Sequence, residues 1–138
     1  MSTLNHWDHE VDVLVVGSGN GGQTAALCCY EMGVTDVLVI EKSNLYGGTS
    51  SISGGGVWVP CNRYAREAGA DDSLDKARTY LNNTIPADKV PAEMIEAYLV
   101  NAPRMVDFLH ERTQVRYVSL EHYPDYYTNL DGSMAGHR

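Results

Sequence analysis

The chain has 138 residues, 43% hydrophobic and 20% charged, with a net charge of −8. Its length predicts one domain and its composition a globular one. The excess of acidic side chains argues against nucleic acid or an anionic membrane surface as a main partner. No apolar run reaches the ~18 residues of a transmembrane helix.

Met1 to Glu10 is polar and lacks the basic-then-apolar order of a signal peptide. It reads as a mobile lead-in, with His6, Trp7 and His9 as tail residues. Three cysteines, Cys28, Cys29 and Cys61, suit a reducing compartment, so a cytoplasmic location is expected. They are expected to be small buried apolar residues rather than a metal site or a disulfide.

Residues 11–16, Val-Asp-Val-Leu-Val-Val, form a β-branched run without strict alternation. That pattern predicts a central parallel strand buried on both faces. It leads straight into Gly17-Ser18-Gly19-Asn20-Gly21-Gly22 and then a helix from Gln23 to Met32, stopped by Gly33. Residues 37–40 give a second strand ending at Glu41, which completes a βαβ unit. The pattern then breaks: Lys42 to Arg63 is rich in Gly and Ser, and a loop of this length is expected to be functional.

Helical order is predicted to return after a cap at Asp72 or Ser73, with Leu74, Ala77, Leu81 and Ile85 as an apolar stripe closed by Pro86. Pro91 is placed to open the next helix. Its buried face would be Met94, Ile95, Tyr98, Leu99 and Ala102. Pro103 is expected to kink or split it before Met105, Val106, Phe108 and Leu109 continue the stripe. Val115–Val118 reads as a strand, and Glu121–Arg138 as a polar, aromatic, turn-rich loop. His110 and His122 are expected on the surface. Arg138 is expected to be solvated, with an anion as its alternative partner. Only two strong strands and one weaker one are visible, fewer than a stable sheet usually needs, so the fold is expected to be incomplete.

The spacing Gly17-x-Gly19-x-x-Gly22 is weak alone but specific between a strand and a helix. Gly17 allows the tight turn, Gly19 lets the backbone approach a pyrophosphate, and Gly22 lets the helix pack on the strand. The helix N-terminus offers N–H groups to phosphates. Glu41, 19 residues beyond Gly22, is placed to accept both hydroxyls of an adenosine ribose. Its charge would repel a 2′-phosphate, which disfavours NADP and leaves NAD or FAD. The next stretch, "TSSISGGGVWVP" (49–60), favours the flavin. Gly54, Gly55 and Gly56 would let backbone N–H groups reach a broad flat ring, and Val57-Trp58-Val59 would form an apolar wall after it.

The segments "DVLVVGSGNGG", "VLVIEKSNLYGGTSSISGGGVWVP" and "YPDYY…GSMAGHR" resemble the flavoproteins of the fumarate reductase and succinate dehydrogenase superfamily. Within it they are most similar to the 3-ketosteroid dehydrogenases, from about Val11 to Arg138. The resemblance implies an α/β fold: a Rossmann-like FAD-binding domain, a βαβ unit with a parallel sheet, of which residues 11–138 are the N-terminal portion. The rest of the sheet and the capping domain would lie in missing polypeptide.

The resemblance also implies roles. Gly17, Ser18, Gly19, Gly21 and Gly22 would hold the FAD pyrophosphate, and Glu41 the ribose with Lys42 beside it. Gly48, Thr49 and Ser50 would lie along the pyrophosphate and flavin, and Gly54, Gly55 and Gly56 would line the ring. Thr49 falls where covalent relatives carry a histidine, which implies non-covalent FAD. A tyrosine of the PDYY motif, Tyr126 first and Tyr127 second, would help remove a substrate proton. The implied reaction is 1,2-dehydrogenation beside a ketone of a steroid-like apolar substrate, with hydride passing to the flavin and on to an electron acceptor. A fumarate-reductase-like enzyme acting on a dicarboxylate or enone, a nucleotide-binding module without catalysis, and an NAD-dependent dehydrogenase remain as alternatives. No metal site is expected.

Overall fold

The structure is a computed structural model describing residues 7–138, so the expectation for His6 lies outside the described residues. Trp7 and His9 are exposed. The chain forms two compact units, Met1–Gly56 and Val57–Arg138, with the boundary at the end of the glycine stretch.

The first unit is the predicted crossover. Strand β1 (Val13–Val16) and strand β2 (Val37–Ile40) pair in parallel, with Val13 opposite Val37 and Val16 opposite Ile40. Helix α1 spans Asn20–Glu31, starting three residues earlier than the periodicity suggests. It ends as expected, with Gly33 at φ +91° and its N–H donating to the Tyr30 carbonyl.

The expectation of strands buried on both faces does not hold. Val15 is buried on the α1 side, whereas Leu14 and Val16, pointing the other way, are 53% and 77% exposed. Among the described residues of this unit, nothing covers that second face. For the same reason α1 has no fully buried residue, and Cys28 and Cys29 are half-buried rather than core. All three cysteines are free.

After β2 comes a loop with one turn of 3₁₀-helix, Gly48–Ile52. Gly47 and Gly48, at φ +101° and +55°, reverse the chain into it.

The second unit is helical. Helix α2 (Arg63–Glu67) falls where only loop was expected. Its signal is the cap Asn62, whose side chain accepts from the Ala65 N–H. Helix α3 (Leu74–Thr84) is capped by Ser73, whose hydroxyl accepts from the Lys76 N–H at 3.1 Å.

Helix α4 runs unbroken from Ala92 to Arg112, so Pro103 does not split it. The missing proline N–H costs a helical bond, offset by Ala102 and Val106 on either side, both in the core. Ala77, Ile95 and Leu99 form one core cluster. Val59, Ala102 and Val106 form another, packed by Tyr64, Met105 and Tyr117. Met94 is 61% exposed and lies off the predicted buried face.

Val115–Val118 forms no strand. It pairs with no strand among the described residues, the Val115 N–H donates to the Thr113 hydroxyl, and the Arg116 guanidinium takes the carbonyls of Thr113 and Val115.

Candidate functional site

The turn from β1 into α1 has the geometry the glycine spacing requires. Gly17 sits at φ +98° and its N–H donates to the Ile40 carbonyl at 2.7 Å. A Cβ on Gly22 would lie 1.9 Å from the Gly17 carbonyl oxygen, so only glycine fits there. The 3₁₀ turn closes on the same loop. A Cβ added at Gly48 would lie 3.4 Å from the Gly19 Cα, and the Ser50 hydroxyl accepts from the Asn20 N–H at 3.4 Å.

The N–H groups of the first turn of α1 have no partners within the helix, and no acidic residue lies in that turn. Bare backbone from two segments, donor groups and the positive end of a helix dipole suit a pyrophosphate. Gly17, Gly19, Gly21, Gly22, Gly48 and Ser50 are thus gathered in one place. Lys42 and Thr49 are exposed beside them.

Ser18 and Glu41 differ from the expectation. Ser18 is buried, and both of its donors go to Glu41: its N–H at 3.0 Å and its hydroxyl at 2.7 Å, each to Oε2. Ser18 therefore bridges to Glu41 instead of offering its donors to a phosphate. The Ser43 N–H donates to Glu41 Oε1 at 3.0 Å. A carboxylate accepts about four hydrogen bonds; three are made at these distances and the Lys42 N–H faces the same group, so at most about one acceptor position remains. Both ribose hydroxyls would need two. The Ser18 hydroxyl, then the N–H groups of Ser18 and Ser43, hold the Glu41 carboxyl down to about 2.

Gly54, Gly55 and Gly56 are exposed, and a Cβ on any of them would meet nothing within 4 Å. Gly55 alone is at positive φ, +78°. Fold packing does not account for three consecutive glycines here, which leaves the stretch open to a ligand.

In the second unit, the expected apolar wall is largely core. Val59 is 2% exposed. Trp58 stacks on Tyr98 at 6.3 Å between ring centres, and its Nε1–H donates to Asp125 Oδ1 at 2.6 Å. Only Val57 of the three stays exposed.

Arg138 overturns the solvated expectation. Its side chain is 1% exposed and pairs with Asp72 at 2.6 Å and Asp125 at 2.9 Å, both also buried. The guanidinium lies 5.6 Å from the centre of the Trp58 ring. It is fully engaged, so it is not the ligand of a substrate anion. Burial raises the Asp72 carboxyl, but the Arg138 bonds and the N–H groups of Cys61 and Ser73 more than offset this, and the net direction is down.

Asp125, the one acidic residue of the PDYY motif and given no role by the sequence, fixes the tyrosine loop. It accepts from Trp58, Arg138 and the Met134 N–H, and its own N–H donates to the Met134 carbonyl. The Tyr127 N–H donates to the Tyr80 hydroxyl at 3.2 Å. On this base Tyr126 is 85% exposed and Tyr127 56%. The Tyr123 hydroxyl is raised above its usual range by the hydrogen bond it donates to Tyr126. His110 is half-buried rather than on the surface, its Nδ1 2.7 Å from the Tyr64 hydroxyl. His122 is exposed as expected. Among the described residues no cluster of His, Cys, Asp and Glu could hold a metal, and no helix is long and apolar enough to cross a membrane.

A parallel βαβ crossover with a glycine cradle at the helix start and a carboxylate after the second strand defines a dinucleotide-binding fold. The chain belongs to the FAD binding domain family, whose model matches residues 12–137, and FAD is the cofactor this indicates. It is 42% identical over 89% of its length to a 3-oxosteroid 1-dehydrogenase of Mycolicibacterium smegmatis, covering 21% of that protein. It is 42% identical over 92% of its length to a 4-oxocyclohex-2-ene-1-carboxylate 5-dehydrogenase of Sinomonas cyclohexanicum, again covering 21%. A solved structure of 3-ketosteroid delta1-dehydrogenase from Sterolibacterium denitrificans, in complex with 1,4-androstadiene-3,17-dione, superposes with a TM-score of 0.82 at 42% identity. That match covers 93% of this chain and 22% of the other. The chain thus spans about a fifth of the length of the relatives it matches.

Proposed function

We propose that this chain is the FAD-binding N-terminal portion of an oxidoreductase that dehydrogenates the carbon–carbon bond beside a ring ketone, with a 3-ketosteroid as substrate. One observation carries the reading: the glycine cradle with its bridged Glu41 occurs in a chain 42% identical to a 3-oxosteroid 1-dehydrogenase over 89% of its length. Bound FAD supplies the hydride acceptor.

The chain's own residues hold and orient. The α1 N-terminus and the Gly48–Ser50 turn take the pyrophosphate, Glu41 takes one ribose hydroxyl, and Gly54–Gly56 admit the ring. Lys42 lies beside the ribose site and Thr49 beside the phosphates, where a hydroxyl cannot form the covalent link of a histidine, so the flavin is held non-covalently. Tyr126, with Tyr127 second, assists removal of the proton next to the ketone. A phenol, ordinarily titrating near ~10, needs a hydrogen-bond partner to act as a base at neutral pH. The free cysteines support a cytoplasmic location.

A cyclic oxo acid is the second reading, favoured by the equal identity to the Sinomonas enzyme. Purified chain incubated with FAD and desalted should keep the visible flavin bands and release all flavin on acid precipitation. The protein carrying this chain with its capping domain should reduce an electron-accepting dye when given a 3-ketosteroid. The 138-residue chain should not, because its proton-accepting tyrosines stand without a group to polarise the ketone. Dye reduction with a 4-oxocyclohexanecarboxylate but no steroid would move the assignment to the second reading.

A further inference from the structure

The feature that the dinucleotide fingerprint does not account for is the chemistry of Ser18. Among the hydroxyl side chains of the described residues of the first unit it alone is buried. Every polar atom it has is used. Its carbonyl accepts from Gln23 Nε2 at 2.7 Å, its N–H and hydroxyl both donate to Glu41 Oε2, and its hydroxyl accepts from the Gly47 N–H at 2.9 Å. Gly47 directly precedes Gly48, which lies against Gly19. A single hydroxyl therefore ties together three segments 23 and 29 residues apart in sequence.

We propose that Ser18 is a positioning residue. It draws both of its bonds onto Oε2 of the Glu41 carboxylate, so that the remaining acceptor capacity for a ribose hydroxyl lies on Oε1, and it locks the Gly47–Gly48 turn against the phosphate loop. The proposal rests on the FAD reading of this site. The groups facing the carboxylate are uncharged donors: the Ser18 hydroxyl and the N–H groups of Ser18, Ser43 and Lys42. The only neighbouring charge on the same loop is Lys42, whose side chain is exposed. A carboxylate held by such donors keeps its charge into acid, and the Ser18 hydroxyl is the largest contributor.

The sign follows directly. The folded carboxyl is depressed, so Glu41 accepts from ribose at all pH values above that depressed value. Removing the hydroxyl raises it, and acceptance is then lost as pH falls toward the ordinary glutamate range, near ~4.3.

The test is FAD titration of the 138-residue chain, followed by flavin fluorescence, for wild type and Ser18→Ala between about pH 7 and pH 3.5, a range that crosses the ordinary glutamate value. The expected result is about ten-fold weaker binding by Ser18→Ala at neutral pH, with the ratio to wild type widening as pH falls. Equal affinities, or a ratio that stays constant with pH, would overturn the proposal, since a merely structural defect has no reason to follow the Glu41 carboxyl. If the wild-type chain binds no FAD, the FAD reading itself falls, an outcome distinct from either. If Ser18→Ala does not fold, carbon NMR titration of the Glu41 carboxyl in wild type decides. A midpoint well below the glutamate range supports the proposal, and one within it overturns it.

Discussion

The two units of this chain reach order by different means. Of the ten buried hydrophobic residues among those described, only Val15 lies in the first unit, and the other nine lie in the second. The first unit is shaped by backbone approach: Gly17 against Gly22, Gly19 against Gly48, and a serine hydroxyl joining three loops. The second is shaped by a packed helical core and a buried ion cluster in which one guanidinium serves two carboxylates. A binding cradle needs bare backbone and free donors, so it holds little hydrophobic mass. A loop that must present tyrosines needs a rigid base, and buried charge with full hydrogen bonding provides one.

Substitutions can separate the two modes. The largest effect is expected from Arg138→Ala, which leaves Asp72 and Asp125 buried without their cation and should destabilise the second unit by about 3–5 kcal/mol. Urea unfolding followed by tryptophan fluorescence reads this directly, because Trp58 is in the cluster. Arg138→Lys should recover little, since an ammonium cannot repeat the forked contacts. Next is Gly22→Ala. The added carbon meets the Gly17 carbonyl at 1.9 Å, so about 1–3 kcal/mol of strain is expected in the first unit, with loss of FAD binding. Wild-type FAD affinity in this variant would contradict the backbone-approach account.

Trp58→Phe keeps the ring but removes the donor to Asp125, and about 1–3 kcal/mol is expected for the acceptor left unsatisfied. Acid provides a further contrast. The Asp72 carboxyl is depressed in the folded chain, so its stabilisation is complete above the unfolded value near ~3.9 and is lost as pH falls through the lower folded one. The urea midpoint of the second unit should fall in that range for wild type, and this dependence should be lost in Arg138→Ala.

The smallest effect on stability is expected from Gly56→Val, within about 0.5 kcal/mol, because the side chain enters open space at ordinary φ. Its effect on FAD retention should nevertheless be large. Gly55→Val is the poorer probe, since φ +78° adds strain of its own. A Gly56→Val chain that holds FAD as wild type does would remove the ring from this stretch.

The same contrast decides what was legible in the sequence. The crossover could be read because each of its demands is local. A glycine marks each place where a side chain is excluded, and Glu41 follows its strand directly. The helices α3 and α4 could be read from their apolar period and from Ser73. The five-residue α2 is too short to show a period, and only Asn62 announces it. The Asp72–Arg138 pair joins residues 66 apart, and nothing in the neighbourhood of either residue marks it. Asp125 sits between turn-forming and aromatic residues and reads as solvated loop. The Ser18 bridge was hidden for another reason: the fingerprint places no demand on the position between its first two glycines, so its chemistry emerged only with the partners in place.

The loop from Leu120 to His137 is tied at its base. The His137 N–H meets the Leu120 carbonyl, a Cβ on Gly136 would strike the Glu121 carbonyl at 1.9 Å, and Asp125 is bonded across to Met134. At its tip, Tyr126, Tyr127 and Thr128 face outward. Variation can therefore enter this segment unevenly. A lineage that changes the tip alters what the protein presents to a ligand at little cost to folding, whereas a change at the base costs the fold first. Folding thus restricts residues 125, 136 and 138, whereas Tyr126 and Tyr127 are restricted only by what they do to a ligand.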